Sequence, residues 1–113
     1  MALFKRKHIK LILKGLKTQT RRTHIHEWRL GHVYGVRDTW FSKPVTHIII
    51  IRKFKQRLGD ISLEEVKKEG YRNLDEFKAV WINIHGSWDP KRLVTVYEFK
   101  LVGATGKVAI NPP

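Results

Sequence analysis

Residues 15–22 read GLKTQTRR and join the first predicted helix to the first predicted strand. Gly15 is suited to end a helix, since glycine readily takes the left-handed conformation found there. Alternate side chains of an extended segment share a face, so Thr18, Thr20 and Arg22 are expected to point the same way. The stretch is therefore either a basic surface strand or a pocket that handles an anion or performs chemistry.

The elements around this stretch follow from periodicity and capping. Residues 4–14 predict an amphipathic helix with His8 and Ile12 on its apolar side. Strands are predicted from residue 31 and over residues 44–59, where four consecutive isoleucines favour burial on both faces. Ser62 with Glu65, and Asn73 with Glu76, predict the starts of two further helices, and a last strand follows over residues 93–102.

This order of elements indicates an α+β fold whose sheet is a small, partly closed β-barrel. The length of 113 residues predicts one domain over residues 1–113, with residues 103–113 expected to be a mobile tail. No internal repeat or linker divides the chain. Trp81 falls on the apolar stripe of the third helix, together with Leu74, Phe77 and Ile84, and is expected in the core.

Charge is the strongest compositional signal, since 23 Lys and Arg stand against 10 Asp and Glu, a net charge of +13. Eight basic residues precede Glu27, the first acidic residue of the chain. A surplus of this size favours a polyanion partner, and RNA or a nucleotide is the predicted ligand. The alternatives are a solvated surface adapted to high temperature and a module that binds an acidic protein surface.

Several classes of protein are excluded or disfavoured. The absence of cysteine rules out disulfides and thiolate metal sites. The longest apolar run, residues 48–51, is too short to span a bilayer, so no membrane association is predicted. Lys10 and Lys14 interrupt the apolar positions of the N-terminal segment, which does not resemble a secretory signal, and a cytoplasmic protein is expected. His24 and His26 are able to chelate a metal, but no third ligand has a clear spacing, so neither a metal nor a cofactor is predicted.

The frame G-x-K-x-x-T-x-R in this stretch, formed by Gly15, Lys17, Thr20 and Arg22, resembles the signature of the ASCH (activating signal cointegrator homology) domain. That family is related to the PUA fold of RNA-modification proteins. Other features resemble the family in the same order along the chain. They are Gly31, Val33 and Tyr34 in a strand, Glu76 in a helix, the turn HGSWDP over residues 85–90, and the strand VTVYEF over residues 94–99.

The resemblance implies a PUA-like barrel with helices over one opening and a cleft lined by the motif. Such domains are generally regarded as RNA-binding, and a few small bacterial members remove the acetyl group from N4-acetylcytidine. Their catalytic Lys, Thr and Glu correspond to Lys17, Thr20 and Glu76. Arg21 departs from the family pattern, which often has an apolar residue at that position.

This residue set is chemically coherent as an amidohydrolase. The hydroxyl of Thr20 becomes a nucleophile if a base removes its proton, and Lys17 is such a base if burial and nearby arginines lower its pKa. Glu76 can protonate the leaving amine, and Arg22 can stabilise an oxyanion or hold a phosphate. Glu76 also has a purely structural interpretation, because it completes a helix cap with Asn73.

The sequence thus leads to an RNA-binding ASCH-type domain, with an N4-acetylcytidine amidohydrolase as the alternative. Trp28, Trp40 and Trp88 are candidates for stacking on bases, although Trp40 and Trp88 serve equally well as plugs of the barrel ends. No oligomeric state is predicted. The predicted nucleic-acid-binding residues are Arg6, Lys7, Lys10, Lys14, Lys17, Arg21 and Arg22.

Overall fold

The computed structural model of the protein describes residues 2–23 and 27–102. His24, His26 and the predicted mobile tail of residues 103–113 lie outside the described residues. The elements in chain order are β1 (Ala2–Leu3), α1 (Arg6–Leu13), β2 (Gln19–Arg22), β3 (Val33–Arg37), β4 (Thr46–Arg57), a 3-10 turn (Leu58–Asp60), α2 (Leu63–Lys68), α3 (Leu74–His85) and β5 (Leu93–Val102).

The five strands form one sheet in the order β1-β3-β4-β5-β2. Only β1 and β3 run parallel, and the other neighbouring strands are antiparallel. The long pair β4–β5 changes register between Ile50 and Arg52, an irregularity of the kind that bends a strand and increases its twist. The sheet curls into a half-barrel accompanied by three α-helices, which confirms the predicted α+β, PUA-like fold class.

Two hydrophobic clusters hold the helices against the sheet. The first joins α1, through Ile9 and Ile12, to Ile48 and Ile50 of β4 and to the ring of Phe99. The second joins α2 and α3 to the other part of the sheet and contains Val66, Phe77, Trp81 and Val96. Trp28, a candidate for base stacking, is buried in the first cluster and packs against Tyr97, so that prediction was wrong.

Most elements were predicted, with three differences. β1 was not predicted, because two residues carry no periodicity. The isoleucine run is not covered on both faces: Ile48 and Ile50 are fully buried, whereas Ile51 is 44% exposed beside the irregularity in β4. The apolar stripe of α3 is buried only at its middle, at Phe77 and Trp81, and its ends are exposed.

The motif segment is fixed on both sides by backbone hydrogen bonds. Gly15 ends α1 with a φ of 74°, and the amides of Leu16 and Lys17 then donate to the carbonyl of Leu11. The amide of Thr18 donates to the carbonyl of Lys68 at the end of α2, while the carbonyl of Thr18 accepts from Phe99 in β5. The segment therefore leads from the end of α1, past the end of α2, into edge strand β2.

Candidate functional site

A cavity of about 400 Å³ lies beside β2, between the start of α1 and the helices α2 and α3. Its polar lining consists mainly of the motif residues and of side chains from α1 and the end of α2, and its opposite wall is largely apolar. The motif and its polar neighbours in this lining are Lys17, Thr20, Arg21, Arg22, Glu69, Tyr71 and His8. The lining includes Lys17, Thr20 and Arg22, three of the four residues that carry the G-x-K-x-x-T-x-R frame.

Lys17 is buried and paired with Glu69. Its Nζ donates to Oε1 of Glu69 at 2.9 Å and to the Glu69 backbone carbonyl at 2.8 Å. Both side chains are almost completely shielded from solvent. Burial lowers the pKa of Lys17, and the neighbouring Glu69 carboxylate offsets part of that shift. A lysine in this setting releases its proton more readily than a surface lysine does.

Arg21 holds the other side of the same carboxylate. Its Nη1 donates to Oε2 of Glu69 at 3.0 Å and to Oε1 of Gln19 at 2.6 Å. Its Nη2 donates to Oε2 of Glu65 at 2.7 Å and to Oε1 of Gln56 at 2.8 Å. The guanidinium at the position where the family often has an apolar residue is thus fully buried and paired, and it fixes the orientation of Glu69.

Thr20 and Arg22 share a face of β2, as their spacing predicted. Nε of Arg22 donates to Oγ1 of Thr20 at 3.1 Å, and Nη2 donates to the backbone carbonyl of Leu3 at 2.9 Å. The guanidinium carbon lies 4.5 Å from the centre of the Phe4 ring and 5.1 Å from that of Trp28. Burial lowers the pKa of Arg22 to about 10, so it stays charged at neutral pH. Arg22 therefore presents a fixed positive charge beside the Thr20 hydroxyl.

A second polar pair faces the cavity, with His8 on α1 and Tyr71 in the loop between α2 and α3. Nε2 of His8 lies 2.6 Å from the hydroxyl of Tyr71, and both groups are buried. Burial, reinforced by the charge of Lys17, lowers the pKa of His8 to about 4, and burial raises the pKa of Tyr71. Both side chains are therefore neutral at physiological pH and act in the cavity as hydrogen-bonding groups without charge.

The apolar wall is formed by α3. Phe77, Val80, Trp81 and Ile84 line the cavity, and the ring of His85 stacks on Trp81 with centroids 3.9 Å apart and planes at 26°. An apolar wall facing a few fixed polar groups is the usual arrangement of a small-molecule site.

Glu76, the predicted acid, is not among the described residues that line this cavity. Its backbone amide is capped by Asn73, and its carboxylate accepts a hydrogen bond from exposed Arg72 at 3.2 Å. The carboxylate of Glu76 therefore does not complete the predicted capping box, and the carboxylate that the structure places beside Lys17 is that of Glu69.

Glu69 was missed because its position carries no motif of its own. It is the C-cap residue that follows α2, directly before Gly70, whose φ of 101° turns the chain. A charged residue beside a helix-ending glycine is ordinarily solvent-exposed. The sequence carried no signal for it, because the burial of Lys17 and Arg21, which requires a buried carboxylate nearby, is visible only in the structure.

The predicted nucleic-acid-binding residues divide into two groups. Lys17, Arg21 and Arg22 point inward and are engaged by protein groups. Arg6, Lys7, Lys10 and Lys14 are exposed on α1, and Arg6 donates to Asp38 at 2.7 Å. Only the second group is placed to meet the phosphates of a large ligand directly.

Within residues 2–23 and 27–102, no group of three or more His, Asp or Glu side chains is arranged to hold a metal ion. In the same part of the chain, no helix is both long enough and apolar enough to cross a membrane.

Comparison with known proteins gives structural matches only. No protein-family model and no curated protein sequence matches the chain. The crystal structure of an ASCH domain from Lactobacillus crispatus superimposes with a TM-score of 0.72 at 20% identity, covering 84% of this chain and 70% of that one. The structure of an Enterococcus faecalis protein of the family DUF984 superimposes with a TM-score of 0.61 at 18% identity, covering 85% of this chain and 70% of that one. The protein therefore has the fold of a small ASCH-type domain, as the motif in residues 15–22 predicted.

Proposed function

We propose that the protein is an amidohydrolase that removes an acyl group from the exocyclic amine of a nucleoside base, with N4-acetylcytidine as the expected substrate. The observation that supports this most directly is a buried lysine, paired with Glu69, that lines the same cavity as the hydroxyl of Thr20. A charged group in a cleft whose pKa is shifted by burial and by a specific charged partner is a candidate functional residue. The substrate class rests on the resemblance to the ASCH signature.

The size and lining of the cavity fit such a substrate. A volume of about 400 Å³ lies in the range of small-molecule sites. The base would lie against the apolar wall that includes Trp81. The neutral pair His8–Tyr71 would provide hydrogen bonds to its polar edge without adding a charge. This orientation directs the acyl group toward the polar side of the cavity, where Thr20 lies.

The proposed reaction gives each of the polar groups that line the cavity a role. The neutral amine of Lys17 takes the proton of the Thr20 hydroxyl while Oγ1 attacks the acyl carbonyl. Arg22, bonded to Thr20 through Nε, stabilises the negative charge that develops on the carbonyl oxygen. The Lys17 ammonium then gives its proton to the departing amine, the C–N bond breaks, and cytidine leaves an acetyl ester on Thr20. Water activated by Lys17 hydrolyses that ester and releases acetate.

Glu69 and Arg21 hold Lys17 in place during both steps. Glu69 accepts from Lys17 at 2.9 Å and from Arg21 at 3.0 Å, which leaves it little freedom to rotate. Arg21 does not reach the substrate in this scheme and acts as a positioning residue. Burial lowers the pKa of Lys17, the Glu69 carboxylate raises it, and the charges of Arg22 and Arg21 lower it further.

The test is release of cytidine from N4-acetylcytidine, measured by chromatography with purified protein. Wild-type protein should turn over above a no-enzyme control, Thr20→Ala should lose that turnover, and Thr20→Ser should keep part of it. Thr18→Ala provides a matched control, because Thr18 belongs to the same segment but does not line the cavity. A wild-type protein that is inert toward both the free nucleoside and acetylated RNA would contradict the proposal.

RNA binding is the second candidate, and the observation that favours it is the charge on α1. Lys7, Lys10 and Lys14 are exposed, and Lys5 lines the cavity at the start of the same helix. The two functions are compatible, since a cationic surface beside a nucleoside-sized cavity suits a nucleotide that belongs to a strand. Both assume a cytoplasmic protein.

A further inference from the structure

Two aromatic side chains are exposed in the turn between β3 and β4. Phe41 is 100% exposed and Trp40 is 66% exposed. Burying such side chains against a partner removes a large apolar surface from water, so the exposure of two of them in one turn points to contact with another molecule. We refer to residues 38–45, which carry them, as the aromatic loop.

The aromatic loop is held in a defined conformation. The amide of Thr39 donates to Oγ of Ser42 at 3.3 Å, and the amide of Ser42 donates to Oγ1 of Thr39 at 3.1 Å. The hydroxyl of Ser42 donates to the carbonyl of Thr39 at 3.0 Å. These reciprocal bonds close the turn below Trp40 and Phe41, so the two rings are presented to solvent on an ordered support.

The loop stands at the rim of the cavity. Asp38, its first residue, lines the cavity and accepts a hydrogen bond from Nε of Arg6 at 2.7 Å. That bond ties the loop to the start of α1, where Lys5 also lines the cavity. The aromatic loop and the start of α1, which carries exposed cations, therefore lie beside the same cavity.

The charge around the loop selects the kind of partner. No acidic residue occurs between Asp38 and Asp60, whereas Lys43 lies within the loop and is exposed. Arg6, Lys7 and Lys10 follow on α1. Aromatic side chains next to a positively charged surface are the combination by which proteins hold single-stranded nucleic acid, since bases stack on the rings and phosphates meet the cations.

We propose that the aromatic loop docks single-stranded RNA, with bases that flank the target nucleotide stacking on Trp40 and Phe41 while the target enters the cavity. The docking step is inferred only from the exposed aromatic side chains of the loop and the positive charge around them. Only the fate of the nucleotide in the cavity rests on the proposed amidohydrolase function. The substrate is then an acylated nucleotide within a single strand, which is bound more tightly than the free nucleoside.

The experiment measures binding of a fluorescently labelled, unmodified single-stranded RNA with a central cytidine, by anisotropy at low salt. Trp40→Ala/Phe41→Ala should weaken binding by about 5- to 150-fold for each base that stacks. Trp40→Phe should retain most of the affinity, because an aromatic ring is preserved. Leu30→Ala/Leu93→Ala is the matched control: it removes two side chains that are each 61% exposed elsewhere, and it should leave affinity unchanged.

A second measurement separates this inference from the proposed function. With acetylated cytidine as free nucleoside and within the same RNA, Trp40→Ala/Phe41→Ala should lower kcat/KM only for the RNA. Absence of turnover on both substrates would contradict the proposed amidohydrolase function. The role of the aromatic loop in RNA docking would then still be tested by the binding measurement. RNA affinity equal in wild type and double variant overturns the inference. It is also overturned if the double variant loses only binding to anionic lipid vesicles or self-association in sedimentation.

Discussion

Lys17 contacts Glu69 twice, at 2.9 Å through the carboxylate and at 2.8 Å through the backbone carbonyl. The carbonyl belongs to the C-terminal end of α2, where helix carbonyls lack helical partners and carry partial negative charge. Lys17 therefore satisfies a helix end and a side chain together. The buried charge is stabilised where it lies, although burial lowers the pKa of the lysine.

Removal of the Glu69 charge should be costly. Glu69→Gln leaves both Lys17 and Arg21 facing a neutral amide, and breaking a buried ion pair typically costs about 3–5 kcal/mol. The matched control is Glu76→Gln, which removes a carboxylate whose partner Arg72 is largely exposed and which should cost no more than about 1 kcal/mol. Urea unfolding of the three proteins measures the difference. Equal stability of the two variants would refute the assignment of Glu69 as the central carboxylate.

Replacement of Arg22 by lysine tests the geometry beside Thr20. Arg22→Lys keeps the charge but loses the fork that bonds Thr20 and Leu3 and the flat surface that lies over Phe4. Loss of one charge-assisted hydrogen bond costs about 1–3 kcal/mol, so kcat/KM toward N4-acetylcytidine should fall about 5- to 150-fold. Arg52→Lys is the control, because Arg52 also lies over a ring, that of Phe54, but is largely exposed. Similar kcat/KM values for the two variants would place Arg22 outside the reaction.

Features that depend on near neighbours in the chain were predicted reliably. The Ser62–Glu65 capping box, the positive φ of Gly15 and the common face of Thr20 and Arg22 all depend on residues a few positions apart. The family motif then supplied the global arrangement, and the fold class is confirmed.

The predictions that failed concerned residues whose contacts are distant in the sequence. Glu69 meets Lys17 and Arg21 only because α2 ends beside β2, a juxtaposition that no local pattern records. Contacts between residues distant in the chain likewise bury Trp28 and turn Lys17, Arg21 and Arg22 inward, although composition alone assigns cations to the surface. A count of basic residues gives the net charge of the chain, but it does not show which of the cationic side chains are exposed and which are buried.

The exposed cations of α1 predict a salt-dependent affinity for RNA. Removal of one lysine that meets a phosphate should reduce the slope of log affinity against log salt by about 0.7 for a single strand. Lys7→Ala/Lys10→Ala should therefore lower the slope by up to about 1.4 while leaving turnover of the free nucleoside unchanged. The control is Lys67→Ala/Lys91→Ala, which removes two exposed lysines at other places on the chain. An identical slope for wild type and the α1 variant would exclude this helix from the RNA surface.

His8 should make the protein less stable in acid. Its pKa is about 4 in the folded state and about 6.5 in the unfolded state, so between these values the unfolded chain binds more protons. The free energy of unfolding should therefore decrease as the pH falls from about 6.5 to about 4, by at most about 3 kcal/mol from this group. Carboxylates with lowered pKa add to the decrease in acid, so the test compares wild type with His8→Gln at each pH.

The expected difference is a shallower decrease in His8→Gln over that interval, because glutamine takes up no proton. His32→Gln serves as the control at an exposed position and should follow the wild-type curve. Unfolding curves in urea at several pH values give the free energies. Parallel curves for wild type and His8→Gln would show that His8 is not the group responsible.

The pH dependence of turnover identifies the base. If Lys17 must be neutral to accept the proton of Thr20, kcat/KM should rise with pH and reach its midpoint well below the pKa of free lysine, about 10.4. The direction follows from burial, which lowers the pKa of Lys17. Thr20→Ser should turn over more slowly but keep the same midpoint, because the titrating group is unchanged.

Lys17→Arg should lose activity, since arginine retains a positive charge but provides no base at these pH values. Lys17→Ala and Thr20→Ala should each abolish turnover, and the double variant should be no worse, because the two residues act as one unit. A midpoint that moves in Thr20→Ser, or substantial activity in Lys17→Arg, would assign proton transfer to another group.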